Sequence, residues 1–540
     1  MSAPDRKTGK RRHWSLHTPA GGRRGSPTGQ GARMTVTAQE QRTRLASPWT
    51  RGAAAALAGA LPALAFPAPS LWWLAYVALV PWMLLARSAA SPRRAALDGW
   101  LGGAGFMLAV HHWLIPSLNV FIVVLALLLG ALWAPWGWLV RRLLGAGAVG
   151  PPRVGPALVL LPCGWLMVEL VRSWQYLGGP WGLLGASQWQ VAPALRLVSV
   201  GGVWLASVLV VLVNTAVVAL LAVPGIRRSA AGALLATAVL TCAVWLWTPR
   251  PGEAGSTRIA VVQPGVVATG DARLDREVQL TRQLAGSHPD LVVWGESSIG
   301  VDLSARPDVA RRLAALSRQV GADLLVNVDA ARADGSGISK TSVLIGPDGP
   351  VGPTYDKMRL VPFGEYIPLR SVLGWATSVG KAAGEDRQPG SRQVVMDAGG
   401  LRFGPLVCFE TAFPDMSRHL AGDGAQLLVA QSSTSSFQHS WAPAQHASLA
   451  ALRAAEDWRP MVHATLTGIS AVYTADGHRV GRRIGTAQST TAVYQVPLAS
   501  GRSLYVRFGD WVPHLALLLV LAAAAYELTR AVRGPVPVPR

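Results

Sequence analysis

The chain has little cysteine, little lysine and little charge. Its three cysteines allow no disulfide framework, because Cys163 and Cys242 lie inside long apolar runs and Cys408 is left without a partner. No Cys/His group has metal-ligand spacing, so neither a metal nor a cofactor is expected. Charged residues make up 15% of the 540 residues and hydrophobic residues 50%, the balance of a membrane protein rather than of one soluble domain. Lysine is scarcer still: five, at 7, 10, 340, 357 and 381, beside 45 arginines.

The charge that is present is mostly of one sign, +21 in all. Nucleic acid is the obvious partner for that number, but the distribution argues against it. Residues 1–51 hold eleven Lys or Arg against two Asp or Glu, in a polar, Gly/Ser/Thr-rich tail that cannot bury a core. This tail is expected to be disordered, contains a second candidate start at Met34, and lacks the layout of a signal peptide. Much of the remaining excess lies in short loops between apolar runs, and no groove-reading motif accompanies it.

Those runs are long enough to cross a bilayer, for which about 20 mostly apolar residues are needed. Seven precede residue 250, at roughly 52–68, 70–86, 96–114, 119–140, 155–172, 197–223 and 230–248, and an eighth covers 511–529. The first two are short and joined by FPAPS, as in a tight hairpin. Basic residues concentrate in RSAASPRR (87–94), at Arg141, Arg142 and Arg153, in IRR (226–228) and in the C-terminal TRAVRGPVPVPR, whereas FPAPS and HHWLIPSLN carry no Lys or Arg. With the basic N-terminus inside, the positive-inside rule puts both termini in the cytoplasm and residues 250–510 outside it. Trp72, Trp73, Trp113, Trp174 and Trp181 lie near segment ends, as an interfacial belt would.

Residues 250–510 read as a soluble α/β domain. The β-like runs are TRIAVVQ, DLVVWGE, ADLLVNVD, TSVLIGPDG, PLVCFE, AQLLVAQ, PMVHATL and ISAVYTADG, with helical patterns at 274–286 and 307–319. Such alternation predicts a largely buried sheet covered by helices. The expected organisation is a basic cytoplasmic tail (1–50), a seven-helix transmembrane domain (51–249), a catalytic domain (250–510), a last transmembrane helix (511–530) and a cytoplasmic end (531–540).

Three polar residues stand at or just beyond ends of β-like runs, where α/β proteins display reactive groups: Glu296, Lys357 and Cys408. Each has a plainer reading. A lone cysteine after an apolar run is ordinarily core, a glutamate there is ordinarily a turn residue, and a loop lysine is ordinarily solvated. Together they make chemical sense. A carboxylate whose pKa is raised in a partly apolar cleft can take a thiol proton and return it. A fixed ammonium, with a backbone N–H beside the nucleophile, can stabilise a tetrahedral oxyanion. His111, His112, His439 and His446 have no motif to support a catalytic part and read as polar packing.

VVWGES, YDKMRLVPFGEYIP and GPLVCFE, in that order and spacing, resemble the Glu-Lys-Cys signatures of the nitrilase (carbon-nitrogen hydrolase) superfamily. The membrane context narrows the resemblance to the apolipoprotein N-acyltransferase family. LVPFGEYIP, GGPWGLLGASQ (178–188) and LRAAEDWRPMVHATLTGISAVY (452–473) are similar to segments of that branch, and the resemblance covers roughly 50–530. It implies a multi-pass α-helical membrane domain of about eight spans plus an extracytoplasmic α/β nitrilase-like domain, an αββα sandwich. It also implies Glu296 as general base, Lys357 as oxyanion stabiliser and Cys408 as nucleophile. Glu365 and Glu410 match further acidic positions in or beside the site, and Phe409 stands where relatives often have Tyr. Three departures are visible: Gly295 where relatives commonly have Pro, QSSTSSFQ (431–438), and a missing Trp in PGVVATGDARLD.

The implied reaction moves an acyl chain from a membrane glycerophospholipid, through a Cys408 thioester, to the α-amino group of a diacylglyceryl-cysteine at a lipoprotein N-terminus. The partners are then the phospholipid donor, the lipoprotein acceptor and the bilayer, with no nucleic acid. One alternative is a membrane-anchored amidase using the same triad with water as second nucleophile. Another is a non-catalytic membrane scaffold, against which the intact triad argues.

Overall fold

The computed structural model describes residues 47–145, 152–374 and 384–533. Most of the basic tail, the end from 534 onward, and Lys7, Lys10 and Lys381 lie outside the described residues.

The apolar runs are helices. α1 (Pro48–Ala60) passes into a 3-10 turn, Leu61–Ala65, and α2 (Val80–Arg87) is preceded by another, Trp72–Tyr76. α3 (Pro92–Val110) starts at Ser91, whose hydroxyl accepts from the Arg94 N–H. α4 (Phe121–Gly130) and α5 (Ala134–Leu144) run on through one 3-10 turn. Then come α6 (Val154–Arg172), α7 (Ala192–Ala222, broken at Gly201–Gly202) and α8 (Arg227–Trp247). Among the described residues five helices are long and apolar enough to cross a membrane: Phe121–Leu144, Val154–Arg172, Ala192–Ala222, Arg227–Trp247 and Trp511–Arg533.

The first three expected spans differ from these for local reasons. Prolines at 62, 67, 69 and 81 interrupt the first two, because proline removes a helix donor. α3 is long enough, but Arg93, Arg94, Asp98 and its glycines make it less apolar. Those glycines allow close packing. A Cβ on Gly99 would lie 2.4 Å from the Trp133 carbonyl oxygen, and one on Gly102 would lie 2.1 Å from the Trp82 ring.

The basic loops meet at one end of the bundle. Arg87 donates to the Ala222 carbonyl, Arg141 to that of Ala89, and Arg142 and Arg153 both reach Glu527 at 2.7 Å. The loops at the other end touch the α/β region: the His112 ring lies 4.5 Å from Trp441, and Trp113 lies 4.8 Å from Phe437.

In chain order that region contains β1 (Gly252–Gln263), α9 (Gly270–Arg282), β2 (Leu291–Trp294), α10 (Pro307–Val320), β3 (Asp323–Ala331), β4 (Ile338–Gly346) and β5 (Gly349–Asp356). There follow β6 (Met396–Ala398), β7 (Leu401–Val407), α11 (Pro414–Gly422), β8 (Leu427–Ser432), α12 (Ala442–Asp457), β9 (Met461–Thr465), β10 (Ser470–Tyr473), β11 (Arg479–Ile484) and β12 (Thr490–Ser500), and then α13 (Trp511–Arg533). All eight β-like runs contribute strands, but to two sheets rather than one. Their orders are β12-β1-β2-β3-β4-β5 and β11-β10-β9-β8-β7-β6.

Side-chain alternation along the strands builds the layers. Ile259, Val261 and Val293 meet Val407, Val429 and Val462 of the other sheet in one core. Their neighbours Ala260, Val262 and Val292 face the opposite way, onto α9 and α10. On the second sheet Leu406, Leu428 and Ala430 turn outward, into a core that also contains Leu420 of α11, Leu452 of α12, and Trp82 and Trp165 of the bundle. The result is an αββα sandwich whose second flank shares its core with the apolar helices.

Candidate active site

The reactive side chains converge where strands end. β2 ends at Trp294 and is followed by Gly295, where the sheets close tightly: a Cβ would lie 2.0 Å from the Leu466 nitrogen. This is the physical reason for glycine at that departure from the family pattern. Glu296 follows, its N–H bonded to the Ser432 carbonyl at 3.1 Å. β5 ends at Asp356, and Lys357 then donates its N–H to the Lys340 carbonyl at 2.8 Å. Lys357 is 1% exposed. Its Nζ reaches Glu296 Oε1 at 3.0 Å and Glu365 Oε1 at 2.8 Å, and Glu365 Oε2 accepts from the Val361 N–H.

Cys408 follows β7 and opens a 3-10 turn, Cys408–Ala412, with φ +52°. This left-handed conformation is unusual for a residue with a Cβ and turns the thiol out of the strand. Two neighbours hold the turn. His446 Nε2 lies 2.9 Å from the Cys408 carbonyl oxygen. Burial pushes the His446 pKa down to about 4, so the ring is neutral and Nε2–H is the donor. Glu410 accepts from the Val407 N–H (2.7 Å) on one oxygen and from Tyr355 OH (2.7 Å), Met358 N–H (2.7 Å) and Arg359 N–H (3.1 Å) on the other. One buried carboxylate thus ties the Cys408 turn to the Lys357 loop. The Phe409 ring is buried against Phe413, 5.0 Å between centroids.

Lys340, which the sequence did not single out for the site, completes it. Its Nζ lies 2.9 Å from both Glu296 Oε1 and Glu365 Oε1. Lys340 and Lys357 are the only lysines among the described residues, and both are here. The scarcity of lysine was the available signal.

These charges correct one expectation. Burial alone would raise the pKa of Glu296, but Lys340 and Lys357 outweigh it and hold the group down at about 2. Burial, then the Glu296 charge, push the Cys408 thiol up to about 12. Burial works against the Lys357 ammonium, but Glu296 and Glu365 keep its pKa above the ordinary range. Glu296 is therefore ionised and Cys408 carries its proton.

The other histidines lie elsewhere. His111 bonds the Met107 carbonyl, His112 packs on Trp441, and His439 lines a separate cavity of about 640 Å³ with Arg479 and Arg483. Among the described residues no group of His, Cys, Asp and Glu could hold a metal ion.

The apolar helices reach this site. The loop GGPWGLLGASQ is pinned from α6, where Glu169 accepts from the Leu184 N–H at 2.7 Å and Arg172 donates to the Trp181 carbonyl at 2.5 Å. Gly179 in that loop lies so close to Phe409 and Phe413 that a Cβ would come within 2.7 Å of both rings. Trp181 donates to Gln445 of α12 at 2.8 Å.

Comparison with known proteins places both parts. Residues 58–216 match the apolipoprotein N-acyltransferase N-terminal domain, and residues 258–505 match the carbon-nitrogen hydrolase family. An apolipoprotein N-acyltransferase of Geobacter metallireducens is 30% identical over 504 residues, covering 88% of this chain and 95% of that protein. One of Azotobacter vinelandii is 30% identical over 518 residues, covering 90% and 97%. Among solved structures, an amidase of Nesterenkonia from the nitrilase superfamily is 21% identical with a TM-score of 0.34, over 48% of this chain and 96% of its own. Both halves of the chain, and their order, are those of the long relatives, and the chain belongs to the apolipoprotein N-acyltransferase family.

Proposed function

We propose that the chain N-acylates lipoproteins, with Cys408 as nucleophile, Glu296 as general base and Lys357 as oxyanion stabiliser. Glu296 takes the Cys408 proton as the sulfur attacks the ester carbonyl of a glycerophospholipid. Lys357, with the Phe409 N–H, stabilises the oxyanion. Collapse breaks the ester C–O bond, and Glu296 returns the proton to the departing lysophospholipid oxygen. The α-amino group of a diacylglyceryl-cysteine then attacks the thioester. Its proton passes through Glu296 to the leaving Cys408 sulfur, and an amide remains. Glu365 orients Lys357, and Glu410 holds the two loops together.

The observation that carries this reading is the packing of the bundle's loop on the nucleophile turn, Gly179 against Phe409 and Phe413. A site built for a soluble amide would not need that contact. Donor and acceptor both stay in a bilayer, so a site seated on apolar helices gains orientation for both. The arrangement of charges supports eight crossings, with the interrupted helices at 52–68 and 70–86 pairing as a hairpin. The basic end then faces the cytoplasm with both termini, and residues 250–510 lie outside it in the cell membrane.

Incubation with acyl-labelled phospholipid in micelles tests the chemistry. The expected result is a hydroxylamine-sensitive label on Cys408, absent from Cys408→Ala, that passes to an added diacylated lipopeptide. Label released only as free acid would instead mark an amidase-like hydrolase. An unlabelled wild-type Cys408 refutes the mechanism.

A further inference from the structure

The site holds two ammonium groups where acyl transfer by a thiol, a base and an oxyanion stabiliser calls for one. Lys340 lies on β4, opposite Asp329 of β3 in the antiparallel register, so the two side chains share a face. Its Nζ is 2.9 Å from Glu296 Oε1, 2.9 Å from Glu365 Oε1 and 3.7 Å from Asp329 Oδ2. Its carbonyl accepts the Lys357 N–H. Both lysines bond the same oxygen of each glutamate, giving a closed ring of alternating charge. Among the described residues no hydrogen bond falls on Glu296 Oε2.

We propose that Lys340 is a positioning residue of the acyl-transfer site: it ties Glu296 Oε1 into the ring, leaves Oε2 as the oxygen that exchanges the Cys408 proton, and keeps Glu296 ionised beside Glu365. The inference rests on the reading of Cys408 and Glu296 given above. Without Lys340, Glu296 and Glu365 would share one ammonium, and like charges that close favour protonation of one of them. The groups facing Lys340 are Glu296 after β2, Asp329 on β3, and Lys357 and Glu365 after β5. Arg387 stands behind Asp329 at 3.4 Å, and the Glu296 charge acts on Cys408 and His446 as well. All of these remain when Lys340 alone is changed.

The test is the pH dependence of single-turnover thioester formation with labelled phospholipid, comparing full-length wild type with Lys340→Met. Removing a cation in contact with a carboxylate raises its pKa, so the acid limb of the variant is expected to move up by about 1–3 pH units. From a wild-type limb at about pH 2 this puts the variant's limb at about pH 3–5, so the loss relative to wild type is about tenfold or more about one pH unit below the variant's limb for a shift of about 2 units or more, and narrows as pH rises. Lys340→Arg, which keeps the charge, should restore the wild-type limb. An unmoved limb in Lys340→Met overturns the proposal, whether the rate is unchanged or reduced evenly at every pH. If that variant does not fold, Lys340→Gln carries the same comparison. A wild-type enzyme that forms thioester while the variant's limb stays put refutes Lys340 alone; absence of thioester in wild type refutes the underlying reading.

Discussion

Glu410→Gln separates the positioning of the nucleophile from its chemistry, because Glu410 touches neither thiol nor substrate in the proposed reaction. Its four partners all donate: Tyr355 OH and three backbone N–H groups. Only the ionised carboxylate accepts from all four, although burial pushes its pKa up. An amide puts an N–H against at least one of these donors. The least costly orientation keeps the oxygen on the Tyr355 side and turns the NH₂ toward the Val407 N–H. That removes one charge-assisted bond and orphans one buried donor, at a combined cost of about 3–5 kcal/mol. The loss falls at the root of the Cys408 turn, already held at φ +52°. Displacement of a reacting group by about 1 Å costs on the order of 100-fold in rate. Thioester formation in Glu410→Gln should therefore fall by about 100-fold, with a lower melting midpoint in detergent. Wild-type rate and wild-type midpoint together would falsify the assignment of Glu410 as the tie between the two loops.

Gly295→Ala should lower the melting midpoint and the yield of folded protein, because both nearest atoms, the Leu466 nitrogen and Thr465 carbonyl carbon, belong to backbone that cannot yield. The cost is expected at the upper end of overpacking, about 3 kcal/mol. Stability should also depend on pH through the buried pair Glu456 and Asp457 on α12, whose pKa values burial raises to about 8 and about 7. The folded state binds more protons than the unfolded chain there, so stability falls as pH rises through this range. The melting midpoint should drop as pH rises from about 5 to about 8 and level off above that, and Glu456→Gln should flatten the drop; a midpoint that rises over this range refutes it.

The sequence showed Glu296, Lys357 and Cys408 because each stands in a recognisable motif, Glu296 and Cys408 at the end of a β-like run as well. Lys340 was not legible, because its place depends on β4 pairing with β3 in one register and on β5 returning Lys357 beside it. Glu365 and Glu410 were visible by motif, but their bonding was not, since each serves loops brought together only by the fold. Four strands escaped notice. β5 contains two prolines and two glycines, which an edge strand tolerates, and β11 is mostly exposed and rich in arginine. β6 is three residues long, and β12 lies at the edge of its sheet. The apolar segments were legible by length, but their interruptions depend on where prolines and glycines meet neighbouring helices.

The core shared between the second sheet and the apolar helices bears on how such a chain can change over time. Domains ordinarily meet through exposed linkers that few contacts cross. Here Phe409 and Phe413 beside Cys408, α12 and the loop after α6 are one packed unit, down to a glycine with no room for a methyl group. A substitution at Gly179, in the bundle, is felt one residue from Cys408. The two halves are therefore bound to drift as a matched pair, and a chimera joining this bundle to a relative's hydrolase half must carry the 178–188 loop with the half that holds the cysteine.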